Sequence, residues 1–285
     1  IEAGSSTSPA DEVTAILEDS KGRLWVGRFG GGLDRQDQPG EPFRRVKLSP
    51  DPREFTGILR IVEGTDGALW LGATEGLLRH DPVSGRTESF LHDPARPSSL
   101  GRGYVFALLV DGAGQLWVGT GGGGLHRLKL DGSGFDRFPV RPGDPTTPSD
   151  DFVTVLYEDR AGRLWEGTRS GGLNLIDSET GRAQRIPVVP TDPNALAHHY
   201  VTSILEDARG ELWIGTGGGG LARLVSLDAN QGVRFERVTA RDGLIDDDVM
   251  ALAEDDDGSL WVSTRQGLTR FDPRRGAFVS YGLAD

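Results

Sequence analysis

The chain has 285 residues and no cysteine, so disulfides, thiolate catalysis and cysteine-bound metal are excluded. Its formal net charge of −12 disfavours nucleic acid and anionic lipid as partners, because both are negatively charged. Only 36% of the residues are hydrophobic, and 42 glycines and 16 prolines favour short strands joined by tight turns. No run approaches the roughly 18 apolar residues of a membrane span, so we expect no membrane contact within this segment.

Six tryptophans divide the chain into repeats of 45 to 48 residues. Each lies in a phrase Gly-x-Leu-Trp-x-Gly, with Ser263 in place of the final glycine in the last copy. The six are Trp25, Trp70, Trp117, Trp165, Trp213 and Trp261. A nearly fixed period across the chain indicates a repeat architecture. We expect a short N-terminal segment, residues 1–10, and one domain over residues 11–285.

Each repeat contains four short segments with strand character. The first is apolar, as in Val201–Glu206, and precedes an acidic turn with glycine, as in Asp159–Gly162. The second carries the Leu-Trp pair and ends at a glycine-rich bend, as in Gly217–Gly220. The third opens on Leu33, Leu77, Leu125, Leu173, Leu221 or Leu268. The fourth centres on Phe43, Phe90, Phe135, Ile186, Phe235 or Phe278.

Four antiparallel strands per repeat, repeated radially, form the blades of a β-propeller. The second strand is apolar at consecutive positions, so both of its faces should be buried between blades. We therefore predict an all-β fold, a β-propeller of six four-stranded antiparallel blades. The blades should span about residues 11–48, 57–91, 104–140, 152–189, 200–239 and 248–285. The alternative is an incomplete or larger, seven-bladed propeller.

The repeats resemble a known family. Val201–Thr216 matches the pattern of the two-component regulator propeller repeats, Val-x-x-Ile-x-Glu-Asp-x-x-Gly-x-Leu-Trp-Ile-Gly-Thr, almost position for position. The linker Asp242–Leu244 and the variant Ser263–Thr264 are also typical of such repeats. The resemblance covers about residues 11–282.

This resemblance implies the periplasmic sensor region of a hybrid histidine kinase or a diguanylate cyclase. The partner would then be the output kinase or cyclase module of the parent chain, and no cofactor is implied. Family members often carry more repeats in seven-bladed propellers, which keeps that alternative open.

Propellers usually bind ligands near the axis, on the face formed by the loops entering the first strands and by the bends between second and third strands. Loops held by a rigid scaffold are where binding residues concentrate. On such loops we select His198, His199 and Tyr200, and the pair Arg102 and Tyr104 at the matching place of another repeat. The alternative for both groups is ordinary packing and solvation.

Arginines recur on the bends after the second strand. Arg28 and Phe29 follow the first Leu-Trp-Val-Gly phrase, where threonine is usual, and Arg169 and Arg265 occupy equivalent bends. Together they would form a positive focus that could grip a sugar or a carboxylate. The alternative is that they are surface side chains without a ligand.

Glu166 is the most anomalous residue, because the other repeats have Val, Ile or Leu at its position. A carboxylate buried between blades must find a cation or hydrogen-bond donors, or be protonated. We expect a structural partner such as Arg163 or Arg185, or a blade edge that leaves Glu166 exposed. The alternative is a functional role.

Catalytic and metal chemistry have little support. The bend Gly119–Gly124 neither opens a helix nor precedes a lysine, so it is not a phosphate loop. The acidic turn Asp255–Gly258 lacks the ligand spacing of a calcium loop. Adjacent histidines on a strand point to opposite faces, so we predict no metal site at His198 and His199. No nucleophile turn is present.

We therefore expect a non-catalytic, ligand-sensing, extracytoplasmic input domain of a two-component-type receptor. Its ligand would be a small soluble molecule such as an oligosaccharide or a peptide, by resemblance. One alternative is a protein-interaction scaffold that forms a homodimer. A less favoured alternative is a propeller lyase.

Overall fold

The computed structural model describes residues 12–48, 57–228 and 232–282. Within these ranges every regular element is a β-strand. The chain divides into two compact units, Ile1–Arg137 and Phe138–Asp285. The predicted N-terminal segment, residues 1–10, lies outside the described residues.

The first unit contains three four-stranded antiparallel sheets, or blades, each built from consecutive strands. The first blade comprises β1 (Glu12–Glu18), β2 (Leu24–Phe29), β3 (Gly32–Gln36) and β4 (Arg44–Val46). The second comprises β5 (Ile58–Glu63), β6 (Leu69–Ala73), β7 (Leu77–His80) and β8 (Thr87–Phe90). The third comprises β9 (Val105–Val110), β10 (Leu116–Thr120), β11 (Gly124–Leu128) and β12 (Phe135–Phe138), whose last residue begins the second unit.

The second unit repeats this arrangement in the fourth, fifth and sixth blades. The fourth comprises β13 (Val153–Glu158), β14 (Leu164–Thr168), β15 (Leu173–Ile176) and β16 (Ala183–Ile186). The fifth comprises β17 (Val201–Glu206), β18 (Leu212–Thr216), β19 (Gly220–Asp228) and β20 (Gly232–Val238). The sixth comprises β21 (Val249–Glu254), β22 (Leu260–Thr264), β23 (Gly267–Asp272) and β24 (Ala277–Gly282).

The predicted fold class is confirmed: the protein is an all-β, six-bladed β-propeller with four antiparallel strands in each blade. One strand centre was wrong. Phe43 lies just before β4, and its side chain is 43% exposed. Val46 takes the place opposite Leu33 that Phe90 takes opposite Leu77.

The first strand of each blade is the innermost, since β1, β5 and β9 adjoin one another within the first unit, as do β13, β17 and β21 within the second. The second strand packs against the next blade. Gly72 and Gly215 show why a glycine follows the tryptophan: a Cβ there would lie 2.8 Å from Val105 and 2.7 Å from Val249, respectively. Glycine therefore allows the next first strand to approach closely.

Four of the tryptophans pack between their own blade and the following blade of the same unit: Trp25, Trp70, Trp165 and Trp213. Trp25 packs against Ile58 and Leu69 of the second blade, and Trp213 packs against Val249 of the sixth. Trp25 and Trp213 are almost completely buried, at 0% and 2% exposure. Such burial is worth roughly 3–5 kcal/mol per tryptophan when tested by truncation to alanine.

A hairpin carboxylate fixes five of the six tryptophans by accepting the indole Nε1–H. The pairs are Asp19–Trp25 at 2.8 Å, Asp111–Trp117 at 2.8 Å, Asp159–Trp165 at 2.7 Å, Asp207–Trp213 at 3.1 Å and Asp255–Trp261 at 3.0 Å. In the second blade Gly64 occupies the aspartate position, and no described carboxylate accepts from Trp70. The opposite side of the ring is covered by a third-strand arginine in several blades, as where Arg35 lies 5.5 Å from the Trp25 centroid.

In three blades the glutamate that ends the first strand ties its blade to the preceding one. Glu63 accepts from the backbone N–H of Ser20 at 2.7 Å. Within the second unit, Glu206 accepts from the N–H of Arg160 at 2.6 Å, and Glu254 from that of Ala208 at 2.8 Å. The Glu-Asp pair of the repeat therefore links two hairpins through its first residue and holds the indole through its second.

We expect Asp207→Ala to lower the free energy of unfolding by about 2–3 kcal/mol, because the buried indole N–H of Trp213 would lose its acceptor. The backbone N–H groups of Arg209 and Glu211, both 2.9 Å from the Asp207 carboxylate, would lose theirs as well. Urea denaturation measures the change. Asp256→Ala, at an exposed position of the sixth-blade hairpin, is the matched control and should change stability by about 0.5 kcal/mol or less. Equal effects of the two variants would contradict the proposed role of the carboxylate.

Candidate functional site

The loop face, as we use the term, consists of the loops that enter the first strand of each blade and the bends between its second and third strands. In three consecutive blades a bend N–H donates to the carbonyl of an aromatic residue that directly precedes the first strand. These bonds are Gly121 to Tyr104 at 2.8 Å, Arg169 to Phe152 at 3.0 Å and Gly217 to Tyr200 at 2.9 Å. The three aromatic residues therefore occupy equivalent positions.

The fourth-blade and fifth-blade bends support their aromatic rings in different ways. The Arg169 guanidinium carbon lies 5.1 Å from the centroid of the Phe152 ring. The Tyr200 ring lies against Gly217, where a Cβ would come within 2.5 Å of the ring. Sequence analysis selected Tyr200 but missed Phe152. The sequence feature that could have identified Phe152 is its position directly before the first strand of its blade.

The loop His198–Tyr200 connects two bends of the second unit. The carbonyl of His199 accepts from Gly172 of the fourth-blade bend at 2.9 Å, and Nδ1 of His198 accepts from the N–H of Tyr200 at 3.2 Å. His198 also lies beside the fifth-blade bend, since a Cβ on Gly219 would lie 2.9 Å from Cβ of His198. The imidazole of His199 is exposed. The structure thus brings Arg169, His198, His199 and Tyr200 onto adjoining segments.

Arg265 extends this surface into the sixth blade. Its Nε lies 2.5 Å from Oδ2 of Asp248, the residue before β21. The carbonyl of Asp247 accepts from Gly218 at 3.1 Å and from Gly220 at 2.9 Å, so this loop is bonded to the fifth-blade bend. The charge of Arg265 is therefore balanced locally by a carboxylate.

In the first unit the selected residues lie at the same kind of place. Arg28 forms an ion pair with Asp34 at 2.8 Å, and Phe29 is 36% exposed. Nε of Arg102 lies 3.5 Å from the carbonyl of Gly122, and the Tyr104 ring is 46% exposed. Arg28, like Arg265, therefore has its charge balanced locally by an aspartate.

Arginines of the outermost strands hold the connecting loops rigidly. Arg137 donates to the carbonyls of Ser99 and Leu100 at 2.9 and 2.8 Å. Arg185 and Arg237 bind the equivalent loops: Arg185 donates to the carbonyl of Thr147 at 2.9 Å, and Arg237 to that of Ala195 at 2.8 Å. A guanidinium that bonds several carbonyls fixes a loop more firmly than single contacts do.

Polar residues of the third strands anchor loops that lead into first strands, including the loops that Arg137 and Arg185 bind. Nε2 of His126 accepts from Gly101 at 3.0 Å, and Oγ1 of Thr269 accepts from Ile245 at 3.1 Å. Asn174 donates to Oγ of Ser149 at 2.8 Å. All three side chains are fully buried and directly follow the first leucine of their strand. Sequence analysis missed these three anchors. The feature that could have identified them is a polar residue at the position that Leu78 and Ala222 occupy in other blades.

His126 is held neutral by its surroundings. Burial lowers its pKa to about 4, and its Nδ1 lies 3.3 Å from the carbonyl of Val118. A proton on Nδ1 leaves Nε2 free to accept from Gly101, which is the arrangement that the anchor requires.

Glu166 is completely buried, so the expectation of an exposed blade edge was wrong. The expected partners were also wrong, because Arg163 pairs with Asp159 and Arg185 binds loop carbonyls. Instead Oε2 of Glu166 accepts from Nδ2 of Asn174 at 2.9 Å. Burial raises the pKa of Glu166 to about 8, with smaller contributions in the same direction from Asp150 and Asp151.

The described residues contain no group of three or more histidine, aspartate or glutamate side chains that could hold a metal ion. Within the same ranges no helix has the length and apolar character needed to cross a bilayer.

The four-stranded blades, and the bends and loops at one end of their strands, are the architecture of a β-propeller. Four segments of the chain, residues 7–27, 99–122, 195–218 and 243–266, match the family described as "Two component regulator propeller". These four segments are similar to the repeats of that family, the one that the sequence analysis identified as a resemblance. No curated protein sequence matches the chain.

Solved structures share the fold at low sequence identity. The extracellular domain of a B. thetaiotaomicron protein described as a one-component system is 20% identical, with a TM-score of 0.53 over 96% of this chain and 43% of that one. Virginiamycin B lyase from Staphylococcus aureus is 15% identical, with a TM-score of 0.70 over 98% of this chain and 87% of the lyase. PorZ of Porphyromonas gingivalis is 20% identical, with a TM-score of 0.68 over 91% of this chain and 38% of PorZ.

Because all three sequence identities are low, these similarities show a shared fold and nothing further. The chain spans less than half the length of the B. thetaiotaomicron domain that it matches.

We expect His126→Gln to remove one component of the pH dependence of stability. Because the folded pKa of His126 is depressed to about 4, the unfolded chain binds the proton more readily. The contribution of His126 to the free energy of unfolding is therefore complete above about pH 6.5. It falls by roughly 1.4 kcal/mol per pH unit as the pH drops towards 4. Urea denaturation of both proteins between pH 4 and 7 measures this, and parallel curves would contradict it.

Proposed function

We propose that the chain is a non-catalytic, ligand-sensing input domain of a two-component-type receptor, located outside the cytoplasm. The family match and the extracellular domain among its structural relatives support this role. The observation that carries the proposal is the loop face of the second unit, where Phe152 and Tyr200 occupy equivalent positions on loops that are held by Arg185 and Arg237, respectively.

The ligand that we propose is an oligosaccharide. Aromatic rings present a flat apolar surface that the C–H face of a sugar ring can cover. Phe152 and Tyr200 are each supported from one side, by Arg169 and Gly217 respectively, so they need little reordering when a ligand arrives. His199 and Arg169 are exposed beside them and can donate hydrogen bonds to sugar hydroxyls or carboxylates.

Rigidity is the second argument for recognition at this face. Arg185 and Arg237 hold the loops that precede Phe152 and Tyr200 by several hydrogen bonds each. A preformed surface binds with a smaller ordering cost than a flexible one. Signalling would follow if the ligand bound one arrangement of the receptor more tightly than another.

The test is isothermal titration calorimetry of the chain against neutral oligosaccharides (malto-, xylo- and manno-oligomers) and against oligogalacturonates. For any sugar that binds, Tyr200→Ala and Phe152→Ala should each weaken affinity about tenfold, the loss of one stacking contact of roughly 1.4 kcal/mol. His199→Ala should weaken binding while leaving the melting temperature within a few degrees, since its side chain is exposed.

Phe43→Ala is the matched control, because Phe43 is an exposed aromatic residue just before β4, outside the loops and bends that form the loop face. It should leave affinity unchanged. A bound sugar whose affinity none of the loop-face variants alters would refute the site. If no sugar binds and the mass of the chain rises with concentration, the interaction-scaffold alternative is favoured.

A further inference from the structure

A row of four side chains, buried except for the outermost, crosses the fourth blade beneath the loop face. Leu156, Glu166, Asn174 and Arg185 are register partners on β13, β14, β15 and β16, so all four point to the same side of the sheet. The fifth blade has Ile214 and Ala222 at the central positions. A carboxyl beside an amide therefore distinguishes the fourth blade.

Asn174 connects this carboxyl to the incoming loop. Its Nδ2 donates to Oε2 of Glu166 at 2.9 Å and to Oγ of Ser149 at 2.8 Å. An amide nitrogen has two hydrogens, so both are used, and the orientation of Asn174 is set from both sides. Oε1 of Glu166 and Oδ1 of Asn174 are buried and have no hydrogen-bond partner among the described residues.

Ser149 and its neighbour continue the connection to the loop face. A Cβ on Gly171 would lie 2.3 Å from Oγ of Ser149, so Ser149 is pressed against the fourth-blade bend. Asp150 accepts from the backbone N–H of Ser170 in that bend at 2.7 Å. The same bend carries Arg169, whose guanidinium covers Phe152.

The charged groups around Glu166 disfavour its ionised form. The carboxylates of Asp150 and Asp151 repel a negative charge on Glu166. The guanidinium of Arg185, on the same face, is engaged by the carbonyls of Asp144, Thr147 and Pro148. A protonated Glu166 avoids a buried, unpaired charge.

We propose that Glu166 is a positioning residue for the loop face: its neutral carboxyl holds Asn174 and Ser149 in place, and its ionisation loosens segments 149–152 and 169–172. The ionised group would bring a third negative charge next to Asp150 and Asp151, and the Asn174–Ser149 bond would have to rearrange to relieve it. Since burial raises the pKa of Glu166 to about 8, this change falls in the mildly alkaline range. The inference needs no ligand and is independent of the proposed function.

Amide hydrogen exchange of the whole chain, followed by NMR between pH 6.5 and 9.5, tests this. The reporters are the N–H groups of Arg169 and Ser170, bonded to Phe152 and Asp150. Gly217 and Gly218, on the equivalent fifth-blade bend, are the internal controls. Protection of the reporters relative to the controls should fall at least about fivefold across pH 8 in the natural protein. It should stay constant in Glu166→Gln, whose side chain does not titrate.

Ser149→Ala tests the hydrogen bond from Asn174 to the loop separately from the carboxyl of Glu166. This variant keeps Glu166 but removes the hydroxyl that accepts from Asn174. Its reporters should be weakly protected at every pH, without a step near pH 8. Constant relative protection in the natural protein would overturn the proposal, and so would the same step in Glu166→Gln or in Ser149→Ala.

Discussion

The hydrogen bond between a hairpin carboxylate and a tryptophan indole is the interaction on which five of the six blades depend. Asp19 illustrates it: the carboxylate accepts from Trp25 and from the backbone N–H groups of Lys21 and Arg23, so it closes the hairpin and orients the ring together. Burial alone would raise the pKa of Asp19, but the hydrogen bonds from Trp25 and Arg23 outweigh it and hold the pKa below its ordinary value. This stabilisation is present above the unfolded pKa and is lost as the pH falls through the folded one.

The bond between aspartate and tryptophan lies at the hairpin between the first and second strands. The other ends of these strands, at the loop face, are therefore available for recognition. There the chain adds a second layer of constraint. Arg137, Arg185 and Arg237 bind loop carbonyls, and the buried side chains of His126 and Asn174 hold two of these loops from below. The aromatic residues before the first strands therefore sit on segments that are nearly as constrained as the sheets. Recognition at this face would depend on side chains whose backbone is already in place.

The sequence predicted most of the fold, because the tryptophan phrase, the glycine after it and the four-strand pattern are local signals. The loop anchors were harder to predict. His126 and Asn174 act on residues 25 positions away, and nothing in their own strands shows that contact. Glu166 was identified as anomalous, but its partner was not predicted, because Arg185 lies on the same face and yet turns to loop carbonyls. The ligand-binding roles of the loop-face residues stay predictions.

The most direct measurement is the hydrogen exchange of the six indole N–H groups, resolved by NMR. Five indoles donate to an aspartate, whereas Trp70 has Gly64 at that position and is 7% exposed. If the carboxylates fix the tryptophan rings, the Trp70 indole proton will exchange first and the other five will be retained much longer. Six indoles that exchange at one rate, or a Trp70 proton among the slowest, would contradict this account.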